Sequence, residues 1–234
     1  MVDLEFESGV ARIFLNRPQK VNALDSVSLK ALLEAVEQIG ADETARVVVL
    51  AGRGKAFCGG ADVKELAQLN EITARAFIEQ IHDVCAALRR LPLPVVARLH
   101  GAVIGAGLEI AAACDLRVAA LGTRFSMPEV RLGIPSVVEA GLLPRLIGSG
   151  RAAWLVLTGD SIDAARAYEW GLIEEIGTGK DLVKHLLAGE PEALKMQKQL
   201  LQLWEEAPLA ASIRTSIELF QRAYASGIPG RRMR

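Results

Sequence analysis

The spacing of hydrophobic and polar positions changes twice near the start of the chain. Extended, partly alternating runs flank Ser8-Gly9 in "VDLEFESGVARIFLNRP", and this pattern predicts a β-hairpin. Apolar residues then recur at helical spacing from Ser26 onward, which predicts a helix. The β-branched run "RVVVLAG", which starts at Arg46, predicts a fully buried strand because both of its faces are apolar.

Strands and helices continue to alternate after this point. The glycine-rich loop "GRGKAFCGGAD" precedes one predicted helix that begins near Val63 and another that covers Thr73 to Arg90. The segments "LPLPVVARLHG" and "LRVAA" predict two more buried strands, with "GAVIGAGLEIAAACD" between them. This alternation indicates an α/β fold.

The pattern after Arg151 is mostly helical, apart from "GLIEEIG" near residue 173. The last predicted helix carries an apolar stripe made of Leu209, Ile213, Ile217, Phe220 and Tyr224. A stripe of this kind packs either against the core of its own chain or against another subunit, and the sequence leaves both alternatives open.

Composition and charge exclude several classes of protein. The 234 residues are 51% hydrophobic, enough to build a substantial core within one large domain. A formal net charge of −1 argues against a nucleic-acid partner. No apolar run reaches the ~20 residues that span a bilayer, and the acidic start "MVDLEFESG" does not resemble a signal peptide. Three widely spaced cysteines predict reduced thiols, without a disulfide or a metal site, in a cytoplasmic protein.

The glycine-rich loops do not fit the common phosphate-binding motifs. "GRGKAFCGG" lacks the spacing of a P-loop, and "GAGLEI" has Ile110 where a dinucleotide-binding motif requires its third glycine. No G-x-S-x-G motif is present, which argues against an α/β-hydrolase.

Two tight turns remain, Gly59-Gly60-Ala61 and Gly105-Ala106-Gly107. Each is predicted to end a buried strand and to open a helix. The first N–H groups of a helix have no partner within it and carry partial positive charge. Two such turns side by side would direct two N–H donors at one oxygen, which is the geometry that stabilises an oxyanion. The alternative is that the glycines only shape turns.

Two carboxylates lie close to these turns in the sequence. Glu109 falls in the first turn of the helix after the second loop, and Glu129 follows twenty residues later in "SMPEVRLGIP". Two carboxylates near an oxyanion site can act as general base and general acid if their surroundings give them different pKa values. A purely structural carboxylate at a helix start is the alternative.

At this point the sequence resembles the crotonase superfamily, that is, the enoyl-CoA hydratase/isomerase superfamily. The resemblance covers about residues 10 to 176 and includes "NRPQKVNAL", "AFCGGADVKEL", "HGAVIGAGLEIAAACDLRVA", "FSMPEVRLGIP" and "LTGDSIDAARAYEWGLIEEI". It implies an α/β spiral of ββα units with a helical C-terminal region. Residues 1–178 would form the core with the acyl-CoA site, and residues 179–234 would serve oligomerisation and cover the active site. It also implies a homotrimer or hexamer.

The resemblance also implies roles for individual residues. Ala61 and Ala106 would supply the two oxyanion-hole N–H groups, and Glu109 and Glu129 fall on the two catalytic glutamates of the hydratases. The segments that wrap coenzyme A would contain Lys20, Ala23, Leu24, Gly59, Gly60, Ala61, Asp62, Val63 and Lys64.

The reaction implied is the addition of water to a 2-enoyl-CoA, within fatty acid metabolism. Coenzyme A would enter as part of the substrate, and neither a metal nor a redox cofactor is expected. A double-bond isomerase of the same family is the nearest alternative. A CoA-binding or RNA-binding scaffold without turnover is the other, although both glutamates are present and no strongly basic face is evident.

The sequence departs from the family pattern in three places. The usual glycine triplet reads Gly105-Ala106-Gly107, and the chain stops at "GIPGRRMR", short of a last helical segment that could affect the active-site cover or assembly. The glycine-rich stretch after the second glutamate is replaced by "PSVVEAGLLP", which brings in Glu139. Glu139 is either a solvent-facing acid at a helix start or a third carboxylate facing the acyl group, where it would raise the pKa of a neighbouring acid.

Overall fold

A computed structural model describes residues 1–225 and 227–233. Its strands are β1 (Val2–Glu7), β2 (Val10–Leu15), β3 (Val47–Gly52), β4 (Val95–Leu99), β5 (Ala102–Ile104), β6 (Leu116–Ala119), β7 (Arg124–Ser126), β8 (Ile162–Asp163) and β9 (Glu175–Ile176). Its helices are α1 (Ser26–Gly40), α2 (Val63–Leu66), α3 (Glu71–Arg90), α4 (Ala106–Ala113), α5 (Leu143–Ile147), α6 (Ser149–Thr158), α7 (Ala164–Trp170), α8 (Lys180–Ala188), α9 (Pro191–Glu206), α10 (Leu209–Ala225) and α11 (Ile228–Arg232). Short 3-10 helices cover Pro18–Lys20, Glu129–Leu132 and Val138–Leu142.

The predicted order of strands and helices is confirmed, with differences at short elements. The hairpin turns at Ser8 and Gly9, whose φ angles of 50° and 80° match the primed turns that suit twisted strands. The helix predicted near Val63 is only one turn long, and α3 begins at Glu71 rather than Thr73. The short strands β5, β7 and β8 were not predicted, because two or three residues are too few to show a periodic pattern.

The strands form two sheets, and the chain passes between them repeatedly. The larger sheet has the order β1-β2-β3-β4-β6-β9 and is parallel except for the β1–β2 hairpin, whereas the smaller has the order β5-β7-β8. Strands β4 and β6 belong to the larger sheet, and the strands that directly follow them, β5 and β7, belong to the smaller one. Each such pair is followed by helical structure, which is the ββα repetition that the sequence led us to expect.

Helix α1 contacts strands β1 and β2 of the larger sheet and packs against α3. Helix α1 starts at Ser26 because the Asp25 side chain accepts a hydrogen bond from the Ser28 N–H, which caps the helix. Its inner face buries Leu29, Leu32, Val36 and Ile39. Full burial of one such side chain contributes about 1.5–3 kcal/mol, so this face fixes the helix on the sheet.

A buried lysine attaches the C-terminal helices to the strand ends. Lys198 on α9 is only 4% exposed, and its Nζ lies 2.8 Å from Asp115 Oδ2. The same ammonium group donates hydrogen bonds to the carbonyl oxygens of Leu88 and Leu93, at 3.0 and 2.9 Å. A buried ammonium with this many partners is satisfied, whereas removal of Asp115 would leave an unpaired buried charge. The position of α9 is therefore specified by electrostatics as well as by apolar packing.

The apolar stripe of α10 is exposed, and the alternative in which it packs against the core of its own chain is wrong. Leu209, Ile213, Ile217, Phe220 and Tyr224 are each more than half exposed. Only two residues of the helix, Ser212 and Leu219, are buried. A continuous exposed apolar face is typical of an interaction surface, so the subunit-interface alternative remains.

Three further features of the structure concern membrane-spanning helices, metal-binding side chains and the cysteines. Among residues 1–225 and 227–233, no helix is both long and apolar enough to cross a bilayer. The same residues contain no group of three His, Cys, Asp or Glu side chains placed to hold a metal ion. Cys58, Cys85 and Cys114 are unpaired and buried.

Candidate active site

A cleft of about 630 Å³ lies between the two glycine-rich loops, α3 and the segment from Pro128 to Val137. One wall is backbone-rich, formed by Gly59, Gly60, Ala61, Ile104, Gly105 and Ala106. The opposite wall is apolar, formed by Leu66, Leu69, Phe77, Ile78, Ile81, Leu132, Ile134 and Val137. The polar side chains of the lining are those of Glu109, Glu129, Asn70, Glu71 and Arg75. A mainly apolar cleft with a few converging polar groups is the usual form of a small-molecule site.

The two glycine-rich loops lie side by side in a parallel register. Cys58 pairs with Val103 through two hydrogen bonds, from the Cys58 N–H to the Ala102 carbonyl and from the Ile104 N–H to the Cys58 carbonyl, both 3.0 Å long. Ala61 lies three residues after Cys58, and Ala106 lies three residues after Val103. Both alanines line the same cleft, and the alignment of their N–H groups stays a prediction.

The backbone N–H groups of both alanines have no acceptor among the described residues. Across the described ranges, neither the Ala61 nor the Ala106 N–H donates a hydrogen bond to a protein acceptor. Ala106 is the first residue of α4, where a free N–H is expected because the helix offers it no partner. One detail of the prediction is wrong for both turns. The first turn begins seven residues after Gly52, the last residue of β3, and the second follows the short strand β5 rather than the strand at Val95.

Glu109 is buried in the first turn of α4, and its carboxylate reaches the cleft. It is 4% exposed, and its Oε1 accepts a 3.2 Å hydrogen bond from the Ala140 N–H. Burial, the charge of Glu129 and, to a smaller extent, that of Glu139 raise the pKa of Glu109 from 4.5 to about 8, against the opposing effect of the Ala140 hydrogen bond. The raised pKa therefore favours the protonated form of Glu109 at neutral pH.

Glu129 begins a 3-10 helix and faces the start of α4. Ser136 Oγ donates a 2.9 Å hydrogen bond to Glu129 Oε2, while Oε1 lies directly against Gly105. A Cβ at Gly105 would collide with Glu129 Oε1, and the φ angle of 52° at Gly105 also disfavours other residues. Glycine is thus required here for two reasons, and both serve to bring Glu129 next to the N-terminus of α4.

The sequence left two alternatives for the position of the Glu139 side chain, and the structure differs from both. Glu139 lies at the start of a helical segment, as predicted, but it is 8% exposed, so the solvent-facing alternative is wrong. Its carboxylate is also not among the groups that line the cleft in the described chain. Glu139 contacts His82 instead, and its charge contributes to the raised pKa of Glu109. A role in the reaction stays a prediction.

The two segments predicted to wrap coenzyme A are joined by their backbones. The Leu24 N–H donates to the Gly60 carbonyl at 2.8 Å, and the Asp62 N–H donates to the Leu24 carbonyl at 2.7 Å. Of the predicted residues, those that line the cleft are Gly59, Gly60, Ala61 and Val63. Lys20 and Lys64 are exposed beside them.

The remaining three residues of that prediction face elsewhere. The Leu24 side chain is buried in the core, so only its backbone is available to a ligand. The Asp62 carboxylate caps α2 and forms a 3.0 Å ion pair with Arg17. Ala23 accepts a hydrogen bond from Arg17 through its carbonyl oxygen. Contacts of these residues with coenzyme A stay predictions.

Sequence reasoning missed the apolar wall of the cleft and His82. Phe77, Ile78 and Ile81 repeat at helical spacing along α3, which the sequence pattern does show, but that pattern cannot separate core-facing from cleft-facing positions. Nothing in the sequence connects His82 to Glu139, which lies 57 residues away.

Comparison with known proteins identifies the class of enzyme. The sequence model of the enoyl-CoA hydratase/isomerase family matches residues 5–225, and the chain belongs to this family, which acts on acyl-CoA thioesters. YngF of Bacillus subtilis, whose name describes an enoyl-CoA hydratase/isomerase, is 37% identical over 229 residues, which are 94% of this chain and 86% of YngF. The short-chain-enoyl-CoA hydratase of Clostridium acetobutylicum is 33% identical over 234 residues, covering 96% of this chain and 90% of the relative.

A solved structure confirms the crotonase fold. The crystal structure of enoyl-CoA hydratase from Bacillus anthracis superposes with a TM-score of 0.89 at 32% identity. The match covers 94% of this chain and 89% of the other. The protein is therefore an enzyme of the enoyl-CoA hydratase type or a related crotonase isomerase.

The buried Glu109 carboxyl should reduce stability as the pH rises. Its pKa is about 8 in the folded protein and has the ordinary value of 4.5 when exposed, so between these pH values the folded state binds more protons than the unfolded state. Stability then falls by about 1.4 kcal/mol per pH unit, a loss of about 3 kcal/mol by pH 7. We expect Glu109→Gln to recover about this free energy of unfolding at pH 7 and to give no gain near pH 4.5.

Urea unfolding at fixed protein concentration, repeated across this pH range, measures the effect. Glu34→Gln is the matched control, because Glu34 is exposed on α1 and far from the cleft in the fold. A gain for Glu109→Gln that did not change with pH would contradict the raised pKa.

Proposed function

We propose that the protein catalyses the addition of water across the C2=C3 bond of a 2-enoyl-CoA. The observation that carries this proposal is the convergence of two carboxylates, Glu109 and Glu129, on one cleft beside two unused backbone N–H groups. A double-bond isomerase requires one group to move a proton between carbons. Hydration uses both carboxylates, one to activate water and one to protonate carbon.

The N–H groups of Ala61 and Ala106 form the proposed oxyanion hole. The thioester carbonyl oxygen accepts a hydrogen bond from each, and these bonds strengthen as the oxygen gains negative charge in the enolate. One donor of this kind typically lowers the barrier by about 3 kcal/mol. The parallel register at Cys58 and Val103 supports this role, because it holds the two donors in a fixed relation before substrate binds.

The two carboxylates carry one proton between them. The raised pKa of Glu109, about 8, favours its protonated form before the reaction begins. A water held between the carboxylates passes the proton from Glu109 to Glu129 and leaves Glu109 ionised.

The addition then returns both carboxylates to their starting state. Glu109 takes a proton from the water, the water oxygen bonds to C3, and the C2=C3 electron pair moves toward the carbonyl oxygen in the oxyanion hole. Glu129 gives its proton to C2 as the enolate collapses, and the product is a 3-hydroxyacyl-CoA. Glu109 is again protonated and Glu129 ionised. No electrons are transferred, so the proposed reaction needs no redox cofactor.

Crotonyl-CoA is the first substrate to test, since one relative is named a short-chain-enoyl-CoA hydratase. Loss of the enoyl-thioester absorbance, with formation of 3-hydroxybutyryl-CoA, is the expected result. A matched assay starts from a 3-enoyl-CoA. Conversion of that substrate to the 2-enoyl isomer, without hydration of crotonyl-CoA, would show that the reaction is isomerisation rather than hydration. Inactivity on both substrates would overturn the hydratase and the isomerase assignments alike.

The exposed stripe of α10, together with the family membership, leads us to expect a homotrimer or a hexamer. Its five apolar side chains form a surface that association would remove from water. Light scattering under native conditions measures the mass. Ile217→Glu, which places a charge within the stripe, should shift the protein toward monomer, whereas the same change at Leu157, exposed on α6, is the control. A wild-type protein that is monomeric at micromolar concentration would contradict the expectation.

A further inference from the structure

Asn22 is a buried polar residue that joins the N-terminal segment to the first glycine-rich loop. It is 1% exposed, and its Nδ2 donates to the carbonyl oxygens of Arg53, Ala56 and Phe57 at 2.9, 2.8 and 3.2 Å. Its Oδ1 accepts a 2.8 Å hydrogen bond from the Arg17 N–H. The reverse orientation of the amide would place Oδ1 against three carbonyl oxygens, so these partners fix the direction of the side chain.

The backbone at Asn22 is held in an unusual conformation. Val21 and Asn22 have φ angles of 55° and 54°, which lie in the left-handed region. Asparagine tolerates this region, whereas a β-branched valine rarely adopts it. Strained backbone of this kind persists only where the surrounding structure over-determines it, and it clusters at functional sites. The turn formed by these two residues is therefore maintained by its contacts with the loop.

The same turn holds the next part of the loop. The Val21 carbonyl accepts a 2.8 Å hydrogen bond from the Gly59 N–H. The Cys58 thiol donates to the Asn22 carbonyl at 3.3 Å, and the Gly60 N–H donates to Cys58 Sγ at 3.4 Å. The turn and the cysteine together therefore hold the loop as far as residue 60.

These contacts end next to an N–H group that has no acceptor. Across residues 57–62, all of which belong to the described chain, the N–H groups that donate a hydrogen bond are those of Phe57, Cys58, Gly59, Gly60 and Asp62. The Ala61 N–H has no acceptor among the described residues. It therefore lies in a stretch whose neighbouring N–H groups are all held in place, which is the preorganisation that an oxyanion hole requires.

We propose that Asn22 is a positioning residue that holds the Ala61 N–H where the thioester oxygen binds. The Asn22 side chain is not among the groups that line the cleft in the described chain, so it acts through the loop. It holds the loop on one side, and the pairing of Cys58 with Val103 holds it on the other. This inference rests on the proposed function, because it concerns one of the two donors of the proposed oxyanion hole.

The first test measures the carbonyl group of a bound thioester and requires no turnover. Isotope-edited infrared spectra of bound acetyl-CoA, labelled with ¹³C at its carbonyl carbon, give the stretching frequency of that carbonyl. Hydrogen bonds polarise a carbonyl, so the frequency should be lower in the wild-type complex than in free acetyl-CoA. A variant in which the Ala61 N–H is displaced should return the frequency toward the free value.

Two substitutions of Asn22 remove its donors in different ways. Asn22→Gly deletes the side chain and tolerates the left-handed φ, so it adds no backbone strain. Asn22→Asp keeps the size of the side chain and also tolerates this φ, but it replaces the amide nitrogen by oxygen. Both variants should raise the carbonyl frequency of bound acetyl-CoA, and circular dichroism checks that each one is folded.

Cys58→Ala tests the same attachment if the Asn22 variants fail to fold. It removes the donor to the Asn22 carbonyl and the acceptor of the Gly60 N–H, so the carbonyl frequency should rise here as well. Asn16→Gly is the matched control. Asn16 is exposed and its side chain donates to Asp3, so this variant should keep the wild-type frequency and the wild-type kcat.

Turnover with crotonyl-CoA is then compared with the infrared result. A misplacement of about 1 Å in a catalytic site can cost ~100-fold in rate, so kcat should fall by ~10- to 100-fold in both Asn22 variants. The affinity for acetyl-CoA should stay within a few-fold of wild type, because the substitutions remove no group that lines the cleft.

The possible outcomes separate the role of Asn22 from the proposed function. A wild-type carbonyl frequency in folded Asn22 variants would overturn the positioning role. Loss of acetyl-CoA affinity at an unchanged frequency would also exclude it, and would assign Asn22 to the segment predicted to wrap coenzyme A. Frequencies that shift as expected, in a protein whose wild type hydrates no enoyl-CoA, would support the positioning role and overturn the proposed function alone.

Discussion

Replacement of either cleft carboxylate by glutamine is expected to reduce the hydration rate by at least ~100-fold, the usual contribution of a positioned general acid or base. Glu109→Gln cannot take a proton from water, and Glu129→Gln cannot give one to C2. Both amides are close in shape to the carboxylates they replace, and in Glu109→Gln the amide oxygen would still accept the Ala140 N–H. The affinity for acyl-CoA should therefore change little.

Steady-state rates with crotonyl-CoA and equilibrium binding of acetyl-CoA, which lacks the double bond, measure the two effects separately. Glu34→Gln on α1 makes the same chemical change at an exposed site and should retain wild-type kcat. Near-wild-type turnover in either cleft variant would remove that residue from the mechanism. Loss of binding together with turnover would instead make the residue a structural part of the cleft.

Replacement of Ala106 by proline is expected to lower kcat by about 100- to 1000-fold, the cost of removing one oxyanion-hole donor. Proline has no backbone N–H, and it is well tolerated at the first position of a helix, which is the position of Ala106 in α4. The substitution therefore removes the proposed donor with little cost to the helix.

Ala106→Gly is the matched control, because it alters the side chain and keeps the N–H. It also tests the methyl group that this chain carries where the family has glycine, and its kcat should stay within a few-fold of wild type. Circular dichroism and acetyl-CoA affinity confirm that the cleft is intact in both variants. If the proline variant kept the wild-type kcat, Ala106 would have no part in stabilising the enolate.

The sequence predicted those parts of the fold that have long periodic patterns or motifs. The hairpin around Ser8 and Gly9, the helix from Ser26 and the buried strands around Val47 and Val95 follow from the spacing of apolar residues. The resemblance added the ββα arrangement and placed Glu109 and Glu129 in one site, which periodicity alone could not do. The strands of the small sheet were missed because their pairing is set by tertiary contacts and not by their own residues.

The surroundings of Glu139 and of the α10 stripe could not be predicted for a different reason. Whether a residue at a helix start faces solvent or a neighbouring helix depends on the direction of the turn before it, here the unusual backbone at Val138. The stripe on α10 has the same periodic pattern in a core helix and in an exposed one. The burial of Glu139 and the exposure of the stripe are both properties of packing between distant segments.

The pairing of Cys58 with Val103 has an evolutionary consequence for the lengths of the two loops. The pairing resets the alignment of the two segments after the exposed bend at Gly54. Residues added at that bend therefore leave Ala61 and Ala106 equally far in sequence from the paired Cys58 and Val103. One residue added between Cys58 and Ala61, or between Val103 and Ala106, would instead separate the two N–H groups. Insertions and deletions among related enzymes should therefore accumulate before the paired cysteine position and be absent from the short stretches that follow it.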